Sequence, residues 1–410
     1  MAKDTLNLVA LAAQSSWPQP SISQADGEKL LVHHPDGRDP VRYTERSRMR
    51  RSRLLWAGAT AVAAAAMLAL VAFGLHPSAR PSAARSGVSS PSATSSPSAT
   101  SSPSPYRVSA ARDLSGGRPI GGGQWFRLAP KATRDYVLWE EWGGRRGARL
   151  RCRDLATGRT RTIASLPTRA ADSYATDGRL VVWASTRQRL DIYRLRDRRH
   201  CQRTVPGTRF GHLALTGHVI VFEDLRRGLA NADIRGYDLA TGRAFTICAA
   251  PGPQLRPAAS GTIVVWEDWR GSSSDIRGYD LGSHRAFIVC ARPGTQLRPA
   301  VSGRYIVWED ERNGTEDVYA RDLATREEIV VCRRPGNQGA PAIWNTVVVW
   351  QDTRAGNQDI YGFDLTTRTE FAVCTNPHSQ GEPSIAAGLV VWEDRRSGRA
   401  RIYGARLTPR

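Results

Sequence analysis

Residues Thr262–Gly303 read TIVVWEDWRGSSSDIRGYDLGSHRAFIVCARPGTQLRPAVSG, and this unit returns along the chain with a period of 42 residues. Trp266, Trp308, Trp350 and Trp392 keep that step, as do Cys248, Cys290, Cys332 and Cys374, and Gln254, Gln296, Gln338 and Gln380. Upstream the tryptophan column continues less regularly through Phe222, Trp183 and Trp139, which makes seven copies. Four short strands are expected per unit. Ile263–Trp266 is almost wholly β-branched or aromatic, as a strand covered on both faces must be. After the Gly/Ser-rich loop Arg270–Ser274 a second strand runs through Ile276 and Tyr279. A turn, clearest as DLATG at Asp238–Gly242, leads into a third strand ending at Cys290. Pro293-Gly294 breaks that strand, and a fourth passes through Pro299–Val301 to Gly303.

Four antiparallel strands in about 42 residues make one propeller blade, so an all-β, seven-bladed β-propeller is predicted over residues 107–410. A β-solenoid is the rival, and the chain ends argue against it. The seventh copy stops at Leu407, before its outer strand. Asp113-Leu114-Ser115-Gly116 echoes the turn motif and Gln124…Pro130 the Gln-x-x-Pro column, so the N-terminal piece is placed to complete the last blade. An open stack has no use for such overhangs.

The segments Val307–Leu323 (VWEDERNGTEDVYARDL) and Pro335–Ile343 (PGNQGAPAI) resemble TolB-type propeller repeats of prokaryotic cell-surface proteins. The resemblance spans residues 107–410 and implies the fold. It does not carry over a Tol-system role, because an N-terminal domain is replaced here by other sequence and the Ser-Pro-Asp-Gly step of TolB repeats is missing.

That other sequence has its own pattern. Leu54–Leu75 (LLWAGATAVAAAAMLALVAFGL) holds no charge and no proline, and as a helix it would reach roughly 30 Å. Arg46, Arg48, Arg50, Arg51 and Arg53 precede it. By the positive-inside tendency, residues 1–53 are a short cytoplasmic tail, 54–75 a single transmembrane helix and the body extracytoplasmic. A cleaved secretory or twin-arginine signal is the alternative, but Arg53 stands where the latter needs a bulky apolar residue. Residues 76–106 are Ser, Pro, Ala and Thr almost throughout, the composition of an extended stalk.

The formal charge of +20 comes from 58 basic against 38 acidic residues, and only Lys3, Lys29 and Lys131 among the basic ones are lysine. The excess is spread over the body without a basic helix or tail. It suits an envelope protein or an anionic glycan or cell-wall polymer as partner, and nucleic acid is not expected.

Two recurring patterns invite chemistry. D-x-R-x-G-x-x-D, as in Asp310, Arg312 and Asp317, suggests a calcium loop until the arginine is noticed, since a fixed cation repels a metal. The expected role is bracing: aspartate accepts turn N–H groups and arginine pairs with a carboxylate. The cysteine column falls on outer strands about 51° apart around the ring, beyond disulfide reach, so free packed thiols are expected. Cys152 and Cys201 lie outside the column, with pairing left open. No HxH, HExxH, Gly-x-Ser-x-Gly or phosphate loop occurs, so no catalytic residue, metal or cofactor is assigned.

In a blade of this order the Pro-Gly-x-Gln loops and the Glu-Asp-x-Arg loops open on one face. Gln254, Gln296, Gln338 and Gln380, with Arg256 and Arg298 and the nearby Glu267 and Glu309, are therefore the candidate ligand-binding set. His212 and Trp142, in the copies that depart most from the repeat, are secondary candidates. The reading is a binding platform for a protein or glycan at the cell envelope. The alternative is a membrane-anchored hydrolase or lyase acting on a polysaccharide, which a compact acidic pair in the channel would favour.

Overall fold

The computed structural model describes residues 104–115, 125–143, 147–166 and 174–410, and the backbone of three short N-terminal strands. Those strands, Ile22–Ala25, Lys29–Val32 and Val41–Arg42, form a small antiparallel sheet of their own. Residues 54–75 and nearly all of 76–106 lie outside the described residues, and so does the transmembrane helix expected there. Among the described residues no helix is long and apolar enough to cross a membrane.

The remainder is seven sheets of antiparallel strands, the first six in sequence order from the inside outward. A representative blade runs Gln254–Ser260, Ile263–Asp268, Asp275–Asp280, Arg285–Cys290. The strand read from Pro299–Val301 exists as Gln296–Ser302 and is the innermost strand of the next blade, in keeping with Cys290 on an outer strand. Sequence periodicity fixes the repeat and not its phase. For the same reason His212 and His218 belong to blade three, in or beside its inner strand Phe210–Thr216.

The second strand of each blade carries the core. Successive side chains point to opposite faces of a sheet, and here each face is covered by a neighbouring blade. Val264, Val265 and Trp266 are therefore all buried, and Trp139, Trp308, Trp350 and Trp392 are fully enclosed. Each such side chain removed from water contributes about 1.5–3 kcal/mol. Hydrophobic clusters bridge adjacent blades: Val307, Val318 and Ile329 of blade five pack with Val348, Trp350 and Phe363 of blade six.

The ring closes. Val137 and Trp139 of blade one share a cluster with Leu389, Val391 and Ile402 of blade seven. The last blade comprises Gln380–Ala386, Leu389–Asp394 and Arg401–Pro409, and its outer strand is the N-terminal Tyr106–Val108. Leu407 pairs with Val108 and Pro409 with Tyr106. The latch thus begins one residue before the boundary read at 107. Asp113 does not make the repeat's turn. It continues the outer strand, opposite Tyr403, and its carboxylate accepts from the Ser115 N–H and from Arg401. Gln124 lies outside the described residues. Arg127, pairing beside Leu128↔Glu140, occupies the register of the glutamine column in blade one.

Candidate ligand-binding mouth

Every inner strand from blade four to blade seven begins Gln-x-x-Pro, and in each the register slips between the second residue and the one after the proline, as at Leu255/Ala258. The extra residue of this bulge sits in the left-handed region: Arg256 at φ 49°, Arg298 at 46°, Ala340 at 48° and Glu382 at 48°, joined by Ala129 at 50° in blade one. A side chain there is uncommon and costs energy. The structure offsets it with a hydrogen bond across the seam between blades. Arg256 N–H donates to Glu223 Oε1 at 2.7 Å, Arg298 N–H to Glu267 Oε1 at 2.8 Å and Ala340 N–H to Glu309 Oε1. Glu382 N–H uses the amide oxygen of Gln351 and Ala129 N–H uses Glu393 Oε1, the latter joining the first blade to the last. The glutamate column is therefore a set of seam staples, and Glu267 and Glu309 are buried in it. At the seam between blades two and three the column holds Ala184. His212 then turns to Glu223 of its own blade, its N–H donating to Oε2 and Nδ1 lying 3.0 Å from Oε1.

The glutamines are not displayed at the mouth. Gln254, Gln296, Gln338 and Gln380 are each 0% exposed. Their amide N–H groups donate to carbonyls of the loop just before them: Gly252 for Gln254, Gly294 for Gln296, Gly336 for Gln338 and His378 for Gln380. In the three loops that carry glycine there is little room for a side chain; a Cβ on Gly294, at φ +89°, would meet the Arg312 backbone at 2.9 Å. What remains at the rim is the arginine pair. Arg256 is 39% exposed, with Nε 3.6 Å from Glu267 Oε1. Arg298 is 27% exposed, lies 3.6 Å from Glu309 Oε1, and reaches over blade six to Glu382 Oε1 at 2.9 Å.

Charge at the mouth is uneven. Burial pushes the Glu309 carboxyl up to about 7, Glu316 adds to the rise, and Arg298 opposes it. Burial also raises Glu316, with Glu311 repulsion behind it, and raises Glu267 despite Arg256 and Arg298. Burial works the same way at Glu223, but there His212 and two main-chain N–H groups win and hold the carboxyl below its usual range.

Further out, the Asp/Arg pattern braces blades three to seven as expected. Trp308 Nε1 donates to Asp310 Oδ2 at 2.8 Å, and the Arg312 N–H and Nε donate to Asp310 Oδ1. The sequence did not disclose that the same arginine crosses to the previous blade, where its NH2 reaches Cys290 Sγ at 3.2 Å; Arg354 and Arg396 repeat this on Cys332 and Cys374. All six cysteines are free, Cys152 and Cys201 included. Among the described residues no group of three or more His, Cys, Asp or Glu is placed to hold a metal.

Fold and mouth together define a closed seven-bladed β-propeller. No family model and no curated protein matches the sequence. Solved structures do. Oligogalacturonate lyase from Vibrio parahaemolyticus aligns with a TM-score of 0.55 at 13% identity, over 72% of this chain and 93% of that one. The β-propeller domain of the Trilobed protease from Pyrococcus furiosus, described as having an open velcro topology, gives 0.54 at 11% identity over 70% and 95%. TolB from Acinetobacter baumannii is also a neighbour, with 0.44 at 17% identity over 64% and 66%. At such identities the likeness is one of fold.

Proposed function

We propose that this chain is a membrane-anchored, extracytoplasmic propeller that binds a protein or an anionic glycan at the cell envelope, with Arg256 and Arg298 as its principal contacts. Residues 54–75 serve as the anchor and 76–106 as the stalk. The observation that carries the reading is the state of the mouth: Glu223, Glu267 and Glu309 accept main-chain N–H groups across the seams, while the Arg256 and Arg298 guanidinium groups stand half-buried at the rim, beside Glu267, Glu309 and Glu382. Arginines fixed at the main chain lose little freedom on pairing with a carboxylate or phosphate. The test is capture of envelope proteins and glycans by the immobilised chain at rising salt. A specific ligand stays bound at 0.5 M NaCl (on the order of three times physiological ionic strength), whereas attraction to the overall charge is screened away.

A polysaccharide hydrolase or lyase is the second reading, favoured by Glu309 near neutrality beside Glu316. Glu309 is already committed to the Ala340 N–H, in a position that Gln351 fills with an amide one blade later, which favours the binding role.

A further inference from the structure

We propose that the propeller carries a second binding site, on the face opposite the mouth, for an acidic polysaccharide whose charge is carboxylate. Where blades one and two meet, their turns enclose a broad groove of about 1250 Å³. Its walls carry five arginines against three aspartates. Among the described residues, Arg134, Arg179, Arg196 and Arg406 have no carboxylate partner, and all four are exposed. Elsewhere on this face some turn cations are paired, His218 with Asp238, Arg304 with Asp322 at 3.1 Å and Arg368 with Glu327 at 2.8 Å, while exposed Arg243, Arg285 and Arg326 are spread over separate blades. The groove is where four such cations line a single cavity.

The rest of the groove selects among anions. Half-buried Tyr136, Leu155 and Leu180 form apolar floor, which suits the C–H faces of sugar rings. Asp135 is exposed there as an acceptor for hydroxyl groups and a repellent for dense charge. A polyphosphate has neither hydroxyls nor apolar faces to offer. A chain of uronic acid residues has both, with a carboxylate on each ring for a guanidinium to grip. This site rests on the reading of the propeller as a binder, and it uses none of the mouth residues.

The experiment is titration of the full chain with a uronic acid hexasaccharide, a neutral hexasaccharide and a polyphosphate of matching charge, at physiological salt. The expected result is saturable uronate binding, weakened at least about tenfold in Arg179→Ala/Arg196→Ala and unchanged in Arg285→Ala/Arg326→Ala, which removes the same charge outside the groove; a tenfold loss is about 1.4 kcal/mol. Equal weakening by both pairs, or equal binding of polyphosphate, would overturn the proposal as unspecific attraction. Weakening only by Arg256→Ala/Arg298→Ala would overturn the groove and leave the mouth reading standing. Absence of uronate binding in the wild-type chain overturns the groove alone, since the mouth is tested by capture.

Discussion

The main-chain N–H of Arg298 donates at 2.8 Å to Oε1 of Glu267, a residue of the blade before it. One hydrogen bond thus fixes a left-handed backbone, ties two sheets and sets an arginine at the rim. Gln351 performs the acceptor's part in another blade, so the carbonyl-like oxygen is what matters and not the charge. Glu267→Gln is expected to cost under about 1 kcal/mol, and Glu267→Ala, which strands a buried N–H, about 1–3 kcal/mol. Urea unfolding of the two variants checks the ordering.

Glu309 supplies a pH dependence. Its carboxyl is raised to about 7 in the folded chain, so the folded state holds a proton that the unfolded state has already released. Stability is therefore greatest on the acid side, falls as pH rises from the ordinary glutamate range through about 7, and levels off above. The slope is at most about 1.4 kcal/mol per pH unit from this group. In Glu309→Gln the amide still accepts the Ala340 N–H and the slope should flatten, leaving the contributions of Glu267 and Glu316 in the same sense. Unfolding midpoints between pH 5 and pH 8 decide it.

The thiols should separate by reactivity. Burial pushes Cys290 and Cys332 up to about 12 and Cys152 up to about 11, whereas Cys201 is exposed on blade two's outer strand. Native alkylation at pH 8 followed by peptide mass spectrometry should label Cys201 first, with Cys152, Cys290 and Cys332 labelled only after unfolding.

The latch can be weighed through Tyr106. Its hydroxyl donates to Asp364 at 2.7 Å and its ring lies 5.3 Å from Phe371, which ties the N-terminal strand to blade six as well as to blade seven. Tyr106→Phe is expected to cost about 1 kcal/mol and Tyr106→Ala about 2–4 kcal/mol. Calorimetry of both variants separates the hydrogen bond from the packing.

The repeat, the seven blades and the closing strand were legible because each is a matter of spacing and of β-branched, tryptophan-centred strands. The bracing of Asp310 and Arg312 was legible from residue type. The mouth was read less well. The four glutamines lie on the predicted face, yet their amides turn back to carbonyls of the preceding loop, and the bulge between Leu255 and Ala258, a register slip of one residue, leaves no trace in a 42-residue period. Arg256 and Arg298 stayed at the rim for the same reason. Glu267 and Glu309 looked like ligand acids because nothing in the sequence shows that an N–H of the next blade points at them. Blades one and two depart from the repeat, so Ala184 in the glutamate column and the basic groove beneath gave no periodic signal at all.

The rim arginines carry the proposed role, and binding isotherms with product analysis test it most directly. Envelope protein and glycan fractions would be titrated against the wild-type chain and Arg256→Ala/Arg298→Ala at equal salt. The expected result is saturable binding to the wild type, weakened at least about tenfold in the double variant and without any shortening of the glycan. Undiminished binding by the double variant, or release of shortened glycan by the wild type, would contradict it.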